Sequence, residues 1–207
     1  MTDRASIYVV LEALDPSMGR FHWSIALRVL PSDLSDQAPD WSCVDLFQVI
    51  DVVDPSPGSG KDSVDASQTA VGPVFNGNNL SLPNSVAVKR TWHLAHQTAV
   101  DLLSSQRSLT CLGAVRLPDA DLPHHDLKEF IEEQEAEQGD SKTTRDVPWS
   151  CAQWIMRVLD RLIESGLYEL DMNHFYPRIQ RLGVELHSLH LADPRSIHVL
   201  HFARDGY

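Results

Sequence analysis

The stretch Pro148-Trp149-Ser150-Cys151-Ala152-Gln153-Trp154-Ile155-Met156-Arg157-Val158-Leu159-Asp160-Arg161-Leu162-Ile163, closing at Gly166, sets a cysteine where a loop turns into an amphipathic helix. Ser150 is a good N-cap, because its side-chain oxygen can accept from an unpaired first-turn N–H, and Gly166 is a good stop signal. Ala152, Ile155, Met156, Leu159, Leu162 and Ile163 recur at helical spacing and form a continuous apolar stripe, with Cys151 beside its leading edge. A thiol in the first turn feels the partial positive charge of the helix N-terminus, which favours thiolate and so nucleophilicity. The competing reading makes Cys151 a small hydrophobe at the rim of a core helix. The decision turns on whether the rest of the chain supplies a base.

Composition narrows the setting. The chain has 207 residues, 43% hydrophobic and 22% charged, enough for one domain with a substantial core. Seventeen basic against twenty-nine acidic side chains give a net charge of −12, which argues against non-specific binding to nucleic acid or anionic membranes. The first residues carry no apolar leader, and no apolar run reaches the roughly 20 residues of a membrane span. Three widely spaced cysteines, Cys43, Cys111 and Cys151, fit a reducing compartment better than a disulfide framework, so the cytoplasm is the expected location.

Upstream, Ala5 to Leu14 reads as a strand, Asp15-Pro16-Ser17-Met18-Gly19 as a turn, and Phe21 to Leu30 as a second, antiparallel strand. On a period of two, His22, Ser24, Ala26 and Arg28 share one face, opposite Phe21, Trp23, Ile25, Leu27 and Val29. His22 thus stands at the head of a strand, where an imidazole can look across the mouth of a site. Further strands are expected over Cys43–Val53, Val86–Gln97, Ser108–Leu117 and Ser196–Ala203, with Thr98–Ser105 open between helix and strand. Helices are expected over Pro123–Gln138, around Cys151, and from Asp171 to about Glu185. The Gly-, Ser-, Asn- and Pro-rich stretch 54–83 reads as a flexible loop within a single domain spanning 1–207.

His-Trp at the head of an early strand, followed over a hundred residues later by a Cys-x-x-Trp helix, resembles the circularly permuted papain-like (NlpC-like) superfamily. That group includes the lecithin:retinol acyltransferase-like proteins and the PPPDE-type deubiquitinating peptidases. The chain is similar also to small fungal proteins of this plan with a "HWALxV" strand and an "NCxxWV" helix. The matching residues here are Phe21-His22-Trp23-Ser24-Ile25-Ala26-Leu27 and Ser150-Cys151-Ala152-Gln153-Trp154-Ile155, with Ser150 where Asn is common. The layout agrees over roughly residues 5 to 165, and its specific content is these two motifs. The resemblance implies Cys151 as nucleophile and His22 as base, with histidine preceding cysteine as the permutation requires. For the group that orients His22, Asp45, Gln48, His93 and His96 all remain open.

Other chemistry is less supported. His93-x-x-His96, His187-x-x-His190 and His198-x-x-His201 share a spacing that gathers both rings on a helix but separates them on a strand, and two of these pairs fall on expected strands. No metal or cofactor is therefore expected. The acidic run from Glu129 to Glu137 reads as a solvated helix face, and Gly58-Ser59-Gly60-Lys61 lacks the spacing of a phosphate loop. Trp23, Trp149 and Trp154 flank the two motifs, so they could line an apolar substrate pocket or simply pack the core.

The expected fold is α+β, a mainly antiparallel sheet of five or six strands with the nucleophile-bearing helix packed on one face. The expected activity is that of a cysteine-dependent hydrolase or acyltransferase, acting on an amide, isopeptide or ester of a small-molecule, acyl or peptide substrate through a Cys151 thioester. The alternative is a non-catalytic small-molecule binder, or a cysteine-independent pathway protein, on the same scaffold.

Overall fold

Strand β1 (Ala5–Asp15) passes through a 3-10 turn (Pro16–Met18) into β2 (Arg20–Val29), and these two hydrophobic strands pair antiparallel along their whole length, Leu11 opposite Trp23 and Glu12 opposite His22. The computed structural model describes residues 4–29, 41–53, 90–104, 110–139 and 148–202; the loop expected at 54–83 lies outside them. β3 (Val44–Val53), β4 (Arg90–Val100), β5 (Cys111–Arg116) and β6 (Val199–His201) complete a six-stranded sheet in the order β4-β3-β2-β1-β5-β6. Among the pairs, β5–β6 is parallel and the others antiparallel, so the sheet is mixed.

Three helices, α1 (His124–Glu132), α2 (Cys151–Glu164) and α3 (Phe175–Ala192), cover one sheet face. There Ile7, Val9, Leu11, Trp23, Ile25 and Phe47 pack against Ile155, Leu159, Ile179 and Leu186 in the main core. The opposite face carries a smaller cluster of Tyr8, Val10, Ala26, Leu46 and Ala114, covered by Trp41 and Leu102. The strict alternation in β1 and β2 is the physical cause of both clusters, since successive side chains point to opposite faces.

Several sequence expectations shift. The helix expected over Pro123–Gln138 ends at Glu132, and residues 134–138 turn instead toward α2. The last helix starts at Phe175 rather than Asp171 and runs to Ala192, so His187 and His190 stand on a helix. Thr98–Val100 belongs to β4.

Two glycines let α3 approach the sheet. A Cβ on Gly113, whose φ is +145°, would stand 2.5 Å from the His198 carbonyl oxygen and 2.8 Å from Leu186 Cδ2. One on Gly183 would stand 2.6 Å from the Phe21 ring. Gly113 thus allows an approach to a backbone carbonyl, and Gly183 an approach to an aromatic ring, that a side chain would crowd.

The sheet also divides where the site forms. β2 pairs with β3 through Ile25–Leu27 against Phe47–Asp45. Toward the His22 end, β2 continues beside β1 while β3 continues beside β4 as far as Val53 opposite Arg90. The N-terminus of α2 meets β2 beside this divergence.

Candidate active site

α2 is held at both its start and its flank. Ser150, in extended conformation, caps it by accepting from Gln153 N–H at 3.4 Å. The Trp154 indole donates to Glu135 O at 3.0 Å and the Trp149 indole to Ala136 O at 3.0 Å. The Arg157 guanidinium donates to the carbonyls of Glu135, Glu137 and Gln138 and lies over the Trp149 ring. These bonds satisfy the backbone of residues 135–138 and fix where the first turn of α2, and so Cys151, is presented.

Cys151 is partly exposed, and its Sγ lies 3.4 Å from the backbone nitrogen of Trp23, which donates to it. The Ala152 N–H donates to the same sulfur. His22 is buried and hydrogen-bonds the thiol. Its Nε2 lies 2.8 Å from Gln48 Oε1, which leaves Nδ1 as the ring nitrogen for Cys151. The Gln48 oxygen also accepts from the Ser24 hydroxyl at 3.4 Å. In the imidazolium form both ring nitrogens carry protons, so His22 Nε2 then donates to this oxygen.

Electrostatics follow from this line of three groups. Burial alone would lower the His22 pKa, but the hydrogen bond and charge of Cys151 outweigh it. Gln48 and the Glu12 carboxylate add to that effect and raise His22 from 6.5 to about 9. Burial likewise pushes the Cys151 thiol up, and the His22 hydrogen bond and charge, helped by the Trp23 and Ala152 N–H groups, bring it below its ordinary value. Each group thus favours the charged form of the other.

Of the four groups considered for orienting His22, the structure brings Gln48 to it. Asp45 points to the other sheet face, where it meets His96 Nε2 at 3.4 Å, His124 Nε2 at 3.2 Å and Lys128 Nζ at 3.8 Å. His96 stacks on Phe47 and pairs with Glu132 at 2.7 Å, joining α1 to β3 and β4. His93 is exposed and bonds Thr91. Parity explains the split, since Asp45 and Phe47 share one face and Gln48 the other, with Ser24 and His22.

Two of the three tryptophans go to the core and the third stays partly exposed. Trp23 and Trp154 are buried in the main core, and Trp149 packs its ring against Arg157. Cys111 is buried in the smaller cluster on the opposite sheet face, and Cys43 is exposed. Among the described residues no group of His, Cys, Asp or Glu is arranged to hold a metal ion, and no helix is long and apolar enough to cross a membrane.

Two neighbours of the dyad escaped the sequence reading. Glu12 lies directly across β1–β2 from His22, a contact that the strand pairing would have revealed once its register was known. Tyr176, from α3, stacks on Trp23 with ring centroids 5.3 Å apart and planes 20° apart. No spacing signal connects it to Cys151.

A helix-borne cysteine, a strand-borne histidine and an amide on the adjacent strand are the groups that cysteine-nucleophile chemistry uses. No protein-family model, curated protein or solved structure matches this chain.

Proposed function

We propose that the protein is a cysteine-dependent hydrolase or acyltransferase acting on an amide, isopeptide or ester, built on a circularly permuted papain-like plan. The observation that carries this reading is the Cys151–His22–Gln48 line, with a partly exposed cysteine at a helix N-terminus and the histidine's far nitrogen 2.8 Å from Gln48. A core cysteine has no use for a buried, hydrogen-bonded imidazolium partner, whose presence must offset its own desolvation.

In this mechanism the Cys151 thiolate attacks the carbonyl carbon, forming a C–S bond and moving the carbonyl π pair onto oxygen. The Trp23 and Ala152 N–H groups stabilise the thiolate beforehand. The oxyanion collapses, the bond to the leaving nitrogen or oxygen breaks, and His22 imidazolium protonates the departing group. Neutral His22 then takes a proton from the acceptor, water or an amine, as that acceptor attacks the thioester. Collapse returns the thiolate beside imidazolium. Gln48 keeps the ring oriented throughout and holds Nε2–H.

The test is acylation by p-nitrophenyl butyrate with intact-mass detection. Wild type gains one butyryl group with a burst of p-nitrophenol, whereas Cys151→Ala gains none. Equal acylation of Cys151→Ala would move the chemistry to Cys43 or Cys111 and end this reading.

A further inference from the structure

The α3 helix reaches the site from outside the His–Cys framework. Tyr176, Gln180 and Gly183 are spaced at i, i+4 and i+7 and so share one helix face. That face lies on β2 and its preceding turn. Gly183 allows close approach to Phe21, Gln180 Nε2 reaches the Gly19 carbonyl at 3.5 Å, and Tyr176 stacks on Trp23. The Trp23 backbone nitrogen is the one that donates to Cys151 Sγ. The helix begins after His174, a non-glycine residue at φ +56°, an uncommon conformation that aims its first turn.

Hydrogen-bond chemistry fixes the direction of the Tyr176 proton. The Gly19 carbonyl can only accept, so the Gln180 atom facing it is the amide nitrogen. That same nitrogen lies 3.2 Å from the Tyr176 hydroxyl oxygen, which therefore accepts from Gln180. The Tyr176 proton is left to point elsewhere. Burial and then the negative charge of Cys151 raise the Tyr176 pKa, so the hydroxyl is protonated and lies within electrostatic reach of the sulfur.

We propose that Tyr176 is a catalytic residue whose hydroxyl donates to the oxyanion formed at the carbonyl attacked by Cys151, with Gln180 as its positioning residue. The inference rests on the acyl-transfer reading above. A partly buried phenol stacked on Trp23, the residue whose backbone N–H binds the nucleophile, is the type of preorganised donor that stabilises charge as it develops. Its partner Gln180 leaves the proton free for substrate, and the stacking on Trp23 removes the rotational freedom that would blunt the effect.

The experiment separates two reactions of the same sulfur. Iodoacetamide alkylates a thiolate by direct displacement without forming an oxyanion, whereas p-nitrophenyl butyrate acylates it through a tetrahedral oxyanion. In Tyr176→Phe, which keeps the ring and its stacking, alkylation of Cys151 should stay within about twofold of wild type while acylation falls about 100-fold. Gln180→Leu should give the same split with a smaller loss of acylation. Unchanged acylation in Tyr176→Phe would overturn the assignment, and so would an equal fall in both reactions, which would make the tyrosine a support of the thiolate. If wild type is alkylated rapidly but never acylated, the acyl-transfer reading fails and this inference with it. That outcome is distinct from a wild type that acylates as fast as Tyr176→Phe.

Discussion

Removing the imidazole tests the central coupling most directly. His22 is raised from 6.5 to about 9, with Cys151 the largest favourable cause. At about 1.4 kcal/mol per pH unit this is about 3 kcal/mol in favour of imidazolium. That net figure also contains the opposing burial and the smaller help of Gln48 and Glu12. It therefore sets only the order of the Cys151–His22 interaction, which by reciprocity favours the thiolate as it favours the imidazolium. In His22→Ala, burial would push the Cys151 thiol up, opposed only by the Trp23 and Ala152 N–H groups. At a pH below the thiol's pKa in the variant, the thiolate population should fall by up to roughly two orders of magnitude. A thiol of higher pKa is intrinsically more nucleophilic, which recovers part of the rate. The iodoacetamide alkylation rate of Cys151 should therefore drop about 10- to 100-fold, followed by peptide mass spectrometry with exposed Cys43 as internal control. An unchanged rate at pH 6 would refute the coupling.

The same pair sets the pH dependence of wild type. Cys151 is depressed, so thiolate persists below the range of an ordinary thiol; His22 is raised, so imidazolium persists until pH passes about 9. Acyl transfer from a butyryl anilide, whose amine must leave protonated, needs both forms and should decline as pH rises through about 9, whereas alkylation, which needs only thiolate, should not. Gln48→Leu removes the acceptor of a charge-assisted bond worth about 1.5–3 kcal/mol, so its alkaline limb should begin at lower pH. Butyryl transfer at pH 8 should fall about 10-fold or more, while Asp45→Asn leaves it within twofold; equal losses would show that His22 is oriented otherwise. Gly113→Ala should destabilise the fold by about 3 kcal/mol in urea unfolding, because its Cβ would meet a backbone oxygen at 2.5 Å and its φ is +145°. A change under about 0.5 kcal/mol would contradict the packing of α3 and β6 on β5.

Local pattern explains why some of this was legible in advance. The α2 stripe and its Ser150 cap depend on residues within one or two turns, and the α2 boundaries match the expected start. Alternation in β1 and β2 likewise needs only nearest neighbours, so the face carrying His22 and Ser24 could be read directly. Where a boundary moved, a distant contact was responsible. Residues 134–138 left the helix expected there because Trp149, Trp154 and Arg157 take up their carbonyls. The histidine pairs shared a spacing, but that spacing carries no chemistry unless the element beneath it is known.

Sequence by itself determined the α+β class, the capped helix that presents Cys151, and the strand that presents His22, because helical and strand periodicities are set by the backbone over a few residues. Only tertiary structure chose Gln48 over Asp45, His93 and His96. Four polar groups on neighbouring strands are equivalent until register and parity assign each to a face. It alone moved Trp23 and Trp154 into the core, and it alone carried Tyr176 from α3 to the side of Trp23. These are contacts between segments far apart in the chain, fixed by where the sheet divides and by how closely two glycines let a helix approach it.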